Sequence, residues 1–340
     1  MKRIGNLFET VFSKENIYMA YLDARRGKRK KRGCFEFETN LAANLSAIYT
    51  SVHSGTYRPQ PYCQFTVFEP KLRTIHAPSF LDIVVQHAIY RLVYPIFDRT
   101  FIDTSFACRK GKGTHLASDY AQKCLRACDG NRYYLQCDIR KFFASIDRTR
   151  LEKLVSRKIK DRRLIAIMML FADMETERGI PIGNLLSQLY ALLYLNPLDH
   201  FVKRVLKARH YVRYVDDFVV VGLTIQEASV LRDKIGAFVT AALGLVFSKT
   251  TTQKIRKGIN FVGYRTWKTK RFIRKYSLYK FVKCLKNGNT PAVISILGHA
   301  KATQSIAYMY VKIRTIGDDI IYQVARRLFA VWKTAGWIGV

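Results

Sequence analysis

The sequence is poor in acidic side chains, and it lacks long uncharged hydrophobic runs and any complete cysteine-based metal motif. Its 340 residues contain 58 Lys and Arg against 25 Asp and Glu, which gives a net charge of +33. A protein with such an excess of positive charge usually binds a polyanion. Nucleic acid is the default partner, and an anionic membrane surface is the weaker alternative.

The absent motifs limit where the protein works. The richest apolar run, 164–171, is too short to cross a bilayer, and the N-terminus lacks the apolar segment of a secretory signal. The seven cysteines are scattered, and no second Cys or His pair lies near Cys124 and Cys128 to complete a zinc site. We therefore expect reduced thiols, no membrane contact and a cytoplasmic location.

Hydrophobic periodicity predicts an α+β chain with a helical, basic beginning and end. The Arg- and Lys-rich run at 25–32 is interpreted as a phosphate contact, with a merely solvated segment as the alternative. Strands are predicted within 62–76, at 133–139, within 211–222 as a hairpin, at 245–248 and at 259–266. Helices are predicted to start near Ser79, His115, 148, 162, Ser187 and Gln226, with a separate helical segment from Tyr276 onward.

The middle of the chain follows a β-α-β-β-α-β order, in which the two central strands are neighbours. Asp138 ends the first strand, and Asp216-Asp217 lies at the tip of an apolar hairpin. An isolated Asp-Asp is usually a solvated turn, but three converging carboxylates repel one another unless cations lie between them. Because Mg²⁺ prefers carboxylate oxygens, we expect two Mg²⁺ ions here, with Mn²⁺ as a substitute, and phosphoryl-transfer chemistry.

Six blocks of the chain resemble reverse transcriptase motifs in the proper order. The blocks are Pro70–Arg73 with 82–86, 105–115, Asp138-Ile139 with Phe143, 183–188, 214–217 and 258–264. The resemblance covers about residues 60–275 and implies a right-hand polymerase that copies RNA into DNA. Its expected parts are a basic helical segment at 1–60, fingers at 61–132, a ferredoxin-like palm at 133–275 and an all-helical thumb at 276–340.

The sequence at 182–188 departs from the usual reverse transcriptase motif, and this departure indicates which group of reverse transcriptases the chain resembles. Most reverse transcriptases have Gln-Gly-x-x-x-Ser-Pro where this chain has Ile-Gly-Asn-Leu-Leu-Ser-Gln. This pattern, in a compact chain, resembles the bacterial and phage enzymes of diversity-generating retroelements. Those enzymes copy a template-repeat RNA into cDNA with errors at adenines, and the cDNA diversifies a target gene. They work with a small basic accessory protein that forms a pentamer.

The resemblance also implies roles for single residues. Asp138, Asp216 and the main-chain carbonyl of Ile139 would bind the metals, and Asp217 would support them. The dNTP would be bound by Lys71, Arg73, Phe143, Ile182, Gly183, Ser187, Gln188 and Lys249, and the primer would be gripped by Phe261, Gly263 and Tyr264.

Two of these assignments carry a physical argument. An aromatic ring at Phe143, five residues after Asp138, can clash with the 2′-hydroxyl of an incoming ribonucleotide and so exclude it. The alternative is that Phe142 and Phe143 both belong to the core, and we expect that one of them does. The hydrocarbon of Ile182 replaces an amide that can hydrogen-bond to the nucleotide or template. We therefore predict relaxed discrimination against mispairs, with simple packing as the alternative.

Rival interpretations remain. Within the same class of enzyme, the alternative is a retron, group II intron-like or phage-defence reverse transcriptase, and Ser187-Gln188 argues against it. A different class would be an RNA-binding scaffold on a decayed polymerase fold, which would share the basic surface. The intact Asp138, Asp216 and Asp217 favour a catalyst over such a scaffold.

Overall fold

The computed structural model describes residues 3–68 and 72–334. Lys71 and the predicted turn at Glu69-Pro70 lie outside these residues. The chain divides into two compact units, each built from separate stretches of sequence. The first unit contains Met1–Asp103, Asp138–Lys207 and Asp233–Lys249, and the second contains Thr104–Cys137, Ala208–Arg232 and Thr250–Val340.

Helices dominate both ends of the chain, as predicted. Before the central sheet they are α1 Phe8–Val11, α2 Lys14–Ala24, α3 Arg32–Thr39, α4 Leu41–His53, α5 Phe80–Asp98 and α6 Thr114–Arg126. The central helices are α7 Phe142–Ser145, α8 Arg148–Ser156, α9 Arg162–Leu170, α10 Leu185–His200 and α11 Ile225–Leu243. The last four are α12 Lys275–Lys286, α13 Thr290–Ala300, α14 Ser305–Ile316 and α15 Asp319–Thr334.

Side-chain caps fix where two of the central helices begin. At the start of α5, the Ser79 hydroxyl oxygen accepts from the main-chain N–H of Asp82 at 3.1 Å, as the sequence predicted. At the start of α10, the Asn184 side-chain oxygen accepts from the N–H of Ser187 at 2.6 Å. Because Asn184 is the cap, α10 begins at Leu185 rather than at the predicted Ser187.

Helix α5 corrects the expectation that no apolar stretch reaches membrane-spanning length. It has 19 residues and a mean hydropathy of 1.2, and half of this stretch is buried inside the fold. Buried core helices pass the same test of length and composition. Two buried polar side chains, Asp82 and Gln86, accept hydrogen bonds from Tyr57 and from the main chain of Leu185, so α5 packs as a core helix of the first unit.

Three sheets are present among the described residues. The strands are β1 Cys63–Val67, β2 Arg73–Ala77, β3 Tyr133–Ile139, β4 His210–Tyr214, β5 Asp217–Leu223, β6 Phe247–Lys254, β7 Ile259–Phe261, β8 Tyr264–Thr266 and β9 Arg271–Ile273. Strands β1 and β2 form an antiparallel hairpin. The four-stranded sheet has the order β4-β5-β3-β6, which is the order of the predicted β-α-β-β-α-β fold.

The predicted strand at 259–266 is in fact a hairpin. Phe261 pairs with Tyr264, and the two residues between them, Val262 and Gly263, have φ angles of +44° and +89°. Positive φ at both positions is the geometry of a type I′ turn. The third strand of this sheet, β9, was not predicted.

The hydrophobic cores of the second unit lie on either side of this hairpin. One core joins α6 to the hairpin of β4 and β5, through residues such as Leu125, Val212 and Val219. The other core joins β8 and β9 to helices α12 to α15, through residues such as Phe281 and Leu297. The helical tail is therefore confirmed, while the division into fingers, palm and thumb stays a prediction.

Candidate active site

The Asp-Asp hairpin has a turn of unusual geometry. Tyr214 pairs with Asp217, so the turn consists of Val215 and Asp216, and Asp217 is already the first residue of β5. Val215 has a φ of +54°, which is rare for a β-branched residue. The fully buried Arg213 donates from Nη1 to the Val215 carbonyl at 2.9 Å. A buried guanidinium therefore helps to hold this turn in its strained conformation.

Asp217 is held by a residue that the sequence analysis missed. The side-chain Nε2 of Gln136 donates to the two carboxylate oxygens of Asp217 at 2.9 and 3.2 Å. The same nitrogen donates to the main-chain carbonyl of Asn260 at 2.9 Å. Gln136 precedes Asp138 by two residues on β3, so strand alternation could have placed both side chains on one face.

Asp138 lies near the carboxyl end of β3, in the first unit. The hydroxyl of Ser248, on β6, donates to the Asp138 carboxylate and lies 3.2 Å from its main-chain carbonyl. The N–H of Arg140 donates to the Val246 carbonyl at 2.9 Å, which anchors the chain just beyond the strand. The side chain of Ile139 is buried, so only its main-chain carbonyl is suited to bind a metal.

Lys249 lies inside a strand. The strand was predicted to end at Ser248, but β6 runs from Phe247 to Lys254 and includes Lys249. Neighbouring side chains on a strand alternate between its two faces, and it is Ser248 that contacts Asp138. The dNTP-binding role of Lys249 stays a prediction.

The two phenylalanines after Asp138 separate as predicted. Phe142 is 2% exposed and belongs to the core, whereas Phe143 is only partly buried. Their rings meet edge to face at 5.4 Å. The Phe143 carbonyl accepts from the N–H of Ile180 at 2.9 Å, which ties the segment to the loop that precedes α10. Phe143 is thus the ring available to a ligand.

The loop before α10 is attached to strand β2. The main-chain N–H of His76 donates to the Ile182 carbonyl at 2.7 Å. Gly183 has a φ of +126°, and a Cβ at this position would lie 2.8 Å from Ile75 Cγ2 and 2.9 Å from the His76 carbonyl. Glycine is therefore required for this close approach. The side chain of Ile182 is partly exposed beside it.

Ser187 and Gln188 differ in accessibility. The hydroxyl of Ser187 is buried and donates to the Pro181 carbonyl at 2.5 Å, so it stabilises the loop rather than facing solvent. Gln188 is exposed.

Lys71 and Arg73 are the two cationic side chains predicted near the start of the fingers to bind the dNTP. Arg73 is exposed on β2 opposite Val67, and Lys71 lies outside the described residues.

The hairpin of β7 and β8, predicted to grip the primer, buries both of its aromatic side chains. Phe261 and Tyr264 are at most 1% exposed. The Tyr264 hydroxyl donates to the His299 carbonyl at 2.8 Å and lies 3.1 Å from Nδ1 of His115. Burial raises the pKa of Tyr264 and lowers the pKa of both histidines. Both rings are therefore packed inside the protein, and the primer-grip role of this hairpin stays a prediction.

The donor chemistry of the three aspartates suits a hard divalent cation, because every predicted side-chain ligand is a carboxylate. The structure brings Asp216 and Asp217 together in one hairpin, while Asp138 belongs to the other unit. Within residues 3–68 and 72–334, no group of three or more His, Cys, Asp or Glu side chains is arranged to hold a metal ion. The two-metal site therefore stays a prediction.

Comparison with known proteins identifies the family. Residues 68–266, more than half of the chain, match the model of the reverse transcriptase (RNA-dependent DNA polymerase) family. The chain belongs to this family of nucleotidyltransferases, whose members copy an RNA template and use divalent metal ions. The mixed helix and sheet architecture agrees with this membership.

Two relatives show how far the likeness extends. The group II intron-encoded protein LtrA of Lactococcus lactis subsp. cremoris is 30% identical over 170 residues, which are 46% of this chain and 28% of the relative. The protein YkfC of Escherichia coli K12 is 25% identical over 338 residues, 84% of each chain. The chain thus covers little more than a quarter of the length of the intron-encoded relative.

Among solved structures, a telomerase of Candida albicans in complex with a telomeric RNA fragment is similar. It has a TM-score of 0.48 and 14% identity, over 76% of this chain and 54% of that chain. A likeness of this size carries no argument about function.

Proposed function

We propose that this protein is an RNA-directed DNA polymerase that extends a primer with dNTPs on an RNA template. The observation that carries the proposal is the Asp216-Asp217 hairpin, with its turn supported by buried Arg213, inside the part of the chain that matches the family. The sheet order β4-β5-β3-β6 adds support, since it makes β3, which carries Asp138, the neighbour of β5. A net charge of +33 suits both RNA and DNA strands.

In this proposal each residue has a stated task. Asp138, Asp216 and the Ile139 carbonyl would hold two Mg²⁺ ions, with Asp217 in support. Bound metals supply the positive charge that activates a primer hydroxyl and stabilises the leaving pyrophosphate. Arg73, together with Lys71, would bind the triphosphate, and the partly exposed ring of Phe143 would exclude a ribose 2′-hydroxyl.

Primer extension tests the polymerase activity directly. The purified protein is expected to add dNTPs to a DNA primer on an RNA template, and Asp216→Asn is expected to abolish addition. Asp129→Asn is the matched control, because Asp129 is exposed on the loop before β3 and is expected to keep full activity. No incorporation by the unmodified protein, under any divalent metal, would instead favour an RNA-binding scaffold.

We further propose that the polymerase belongs to a diversity-generating retroelement. The support is the sequence at 182–188, with an aliphatic side chain before Gly183 and Ser-Gln in place of Ser-Pro. The protein would act in the bacterial cytoplasm on a template-repeat RNA, with a small basic pentameric accessory protein. A group II intron-like enzyme is the second candidate, favoured by the 30% identity to LtrA.

Sequencing of the cDNA separates these two candidates. The cDNA is made by the purified enzyme both with and without a candidate accessory protein and its RNA, and a retroelement enzyme is expected to make errors concentrated opposite template adenines. Uniformly low error frequencies at all four template bases would instead favour the intron-like enzyme. Both results presuppose incorporation, so neither can be confused with an inactive scaffold.

A further inference from the structure

We infer that Gln136 is a positioning residue for the active site, because one amide group of its side chain holds Asp217 and the predicted primer-grip hairpin together. The inference rests on the proposed polymerase activity. It starts from three contacts of one nitrogen, Nε2, with the two carboxylate oxygens of Asp217 and the carbonyl of Asn260.

The three contacts use the full donor capacity of the amide. An NH₂ group has two hydrogens, so one is directed to the carboxylate of Asp217 and the other to the Asn260 carbonyl. The opposite orientation of the amide would place its oxygen against a carboxylate and a carbonyl, which are both acceptors. The surroundings of Gln136 therefore permit only one orientation of its side chain.

The register of the β7-β8 hairpin explains why the Asn260 carbonyl is available. Phe261 and Tyr264, which close the two-residue turn, form the hydrogen-bonded pair, so the next pair, Asn260 and Arg265, is not hydrogen-bonded across the hairpin. The carbonyl of Asn260 consequently points away from β8. Gln136 donates both to this carbonyl and to the Asp217 carboxylate.

The contact has a consequence for catalysis. Asp217 adjoins Asp216 in the hairpin, and its carboxylate must be correctly oriented to support the metals. The Gln136 amide fixes that orientation without adding a charge that competes with the metals. The same amide also contacts the carbonyl of Asn260 on β7, so one side chain bridges Asp217 and the predicted primer-grip hairpin.

Replacement of Gln136 by Met tests the inference, since Met has nearly the same shape and lacks the amide. In single-turnover primer extension, Gln136→Met is expected to lower the rate of addition roughly tenfold or more, the scale of a lost hydrogen bond to a charged group. The apparent KM for dNTP should change little, and more Mg²⁺ should be needed for half-maximal rate. A merely structural role would not shift the Mg²⁺ requirement.

Gln253→Met is the matched control. Gln253 lies on β6 in the same unit and accepts a hydrogen bond from Tyr134 at 3.2 Å, but it does not contact Asp217. A wild-type rate and Mg²⁺ requirement in Gln136→Met would overturn the inference, and so would the same change in Gln253→Met. Inactivity of the unmodified protein would instead count against the polymerase activity itself.

A double-mutant cycle provides the second measurement. If Gln136 acts through Asp217, then Gln136→Met should add almost nothing to the residual rate of Asp217→Asn. Fully multiplicative losses in the double variant would show that Gln136 acts independently of Asp217. The cycle compares residual rates per folded molecule, so partial unfolding of a variant leaves the comparison intact.

Discussion

At Ile182 the main chain is fixed while the side chain remains partly exposed. The Ile182 carbonyl accepts from His76 at 2.7 Å, and the neighbouring Gly183 packs against β2. The first contact uses the main chain of Ile182 and the second belongs to Gly183, so neither involves the side chain of Ile182. A substitution at 182 therefore changes the chemistry presented by the loop without removing what holds the loop in place.

The first prediction concerns this side chain. Ile182→Gln is expected to lower misincorporation opposite template adenine by up to about an order of magnitude, because an amide can hydrogen-bond to nucleotide or template and penalise poor geometry. Sequencing of cDNA made in vitro measures the effect. Ile182→Leu, which stays apolar, should keep the parental error frequency. An unchanged frequency in Ile182→Gln would mean that residue 182 only packs.

At the scale of secondary structure elements, the close approach of the loop before α10 to β2 leaves no room for an added side chain at Gly183. Gly183→Ala is expected to destabilise the protein by roughly 1–3 kcal/mol, since the new Cβ would meet backbone atoms and the positive φ is unfavourable for alanine. Gly130→Ala is the matched control, because a Cβ there meets nothing within 4 Å. Urea unfolding measures both, and equal midpoints would contradict the predicted strain.

Most elements could be predicted from hydrophobic period, and the failures have local causes. The run at 259–266 is apolar enough to resemble a single strand, and its turn places a β-branched Val262 at positive φ, against its propensity. Strand β9 has only three residues, Arg271 to Ile273, and so short a segment shows no clear alternation of polar and apolar side chains. The start of α10 lies two residues before the predicted Ser187, because the side chain of Asn184 caps the helix at Leu185.

In the candidate site, features that follow from the sequence pattern could be predicted, whereas contacts that depend on strand register could not. The family was predictable because the order of its motifs along the chain is distinctive. The contact of Gln136 with Asp217 was not, since it depends on which residues of β3 and β5 lie side by side. The contact of Ser248 with the Asp138 carboxylate was likewise not predicted, since it depends on how β6 lies beside β3.

At the scale of the whole molecule, the high positive charge is only partly compensated within the protein. In the N-terminal basic run, Arg25, Arg26 and Arg32 lie 3.6, 3.8 and 2.6 Å from acidic side chains. Exposed ion pairs of this kind add little to stability, but they neutralise part of the run. Three side chains of the run are exposed and form no ion pair within the described part of the chain: Arg29, Lys30 and Lys31.

These three exposed side chains are available to contact phosphates, and replacing all three by Gln should change how RNA binding responds to salt. Each phosphate contact contributes about 0.7 to the slope of log affinity against log salt concentration for a single strand. The triple substitution should therefore lower the magnitude of the slope by about 2. The loss of affinity relative to the parent should accordingly be larger at low salt than at high salt. Filter binding or fluorescence anisotropy with a labelled RNA, over a series of salt concentrations, measures it.

The control separates local contact from total charge. It removes the same number of positive charges at exposed positions outside the run: Arg99, Lys123 and Lys234. Counterions are released only where a cation meets a phosphate, so this control should weaken binding slightly and leave the slope nearly unchanged. If both triple variants lowered the slope equally, RNA would be held by the general positive field of the protein, and the run at 25–32 would be a solvated segment.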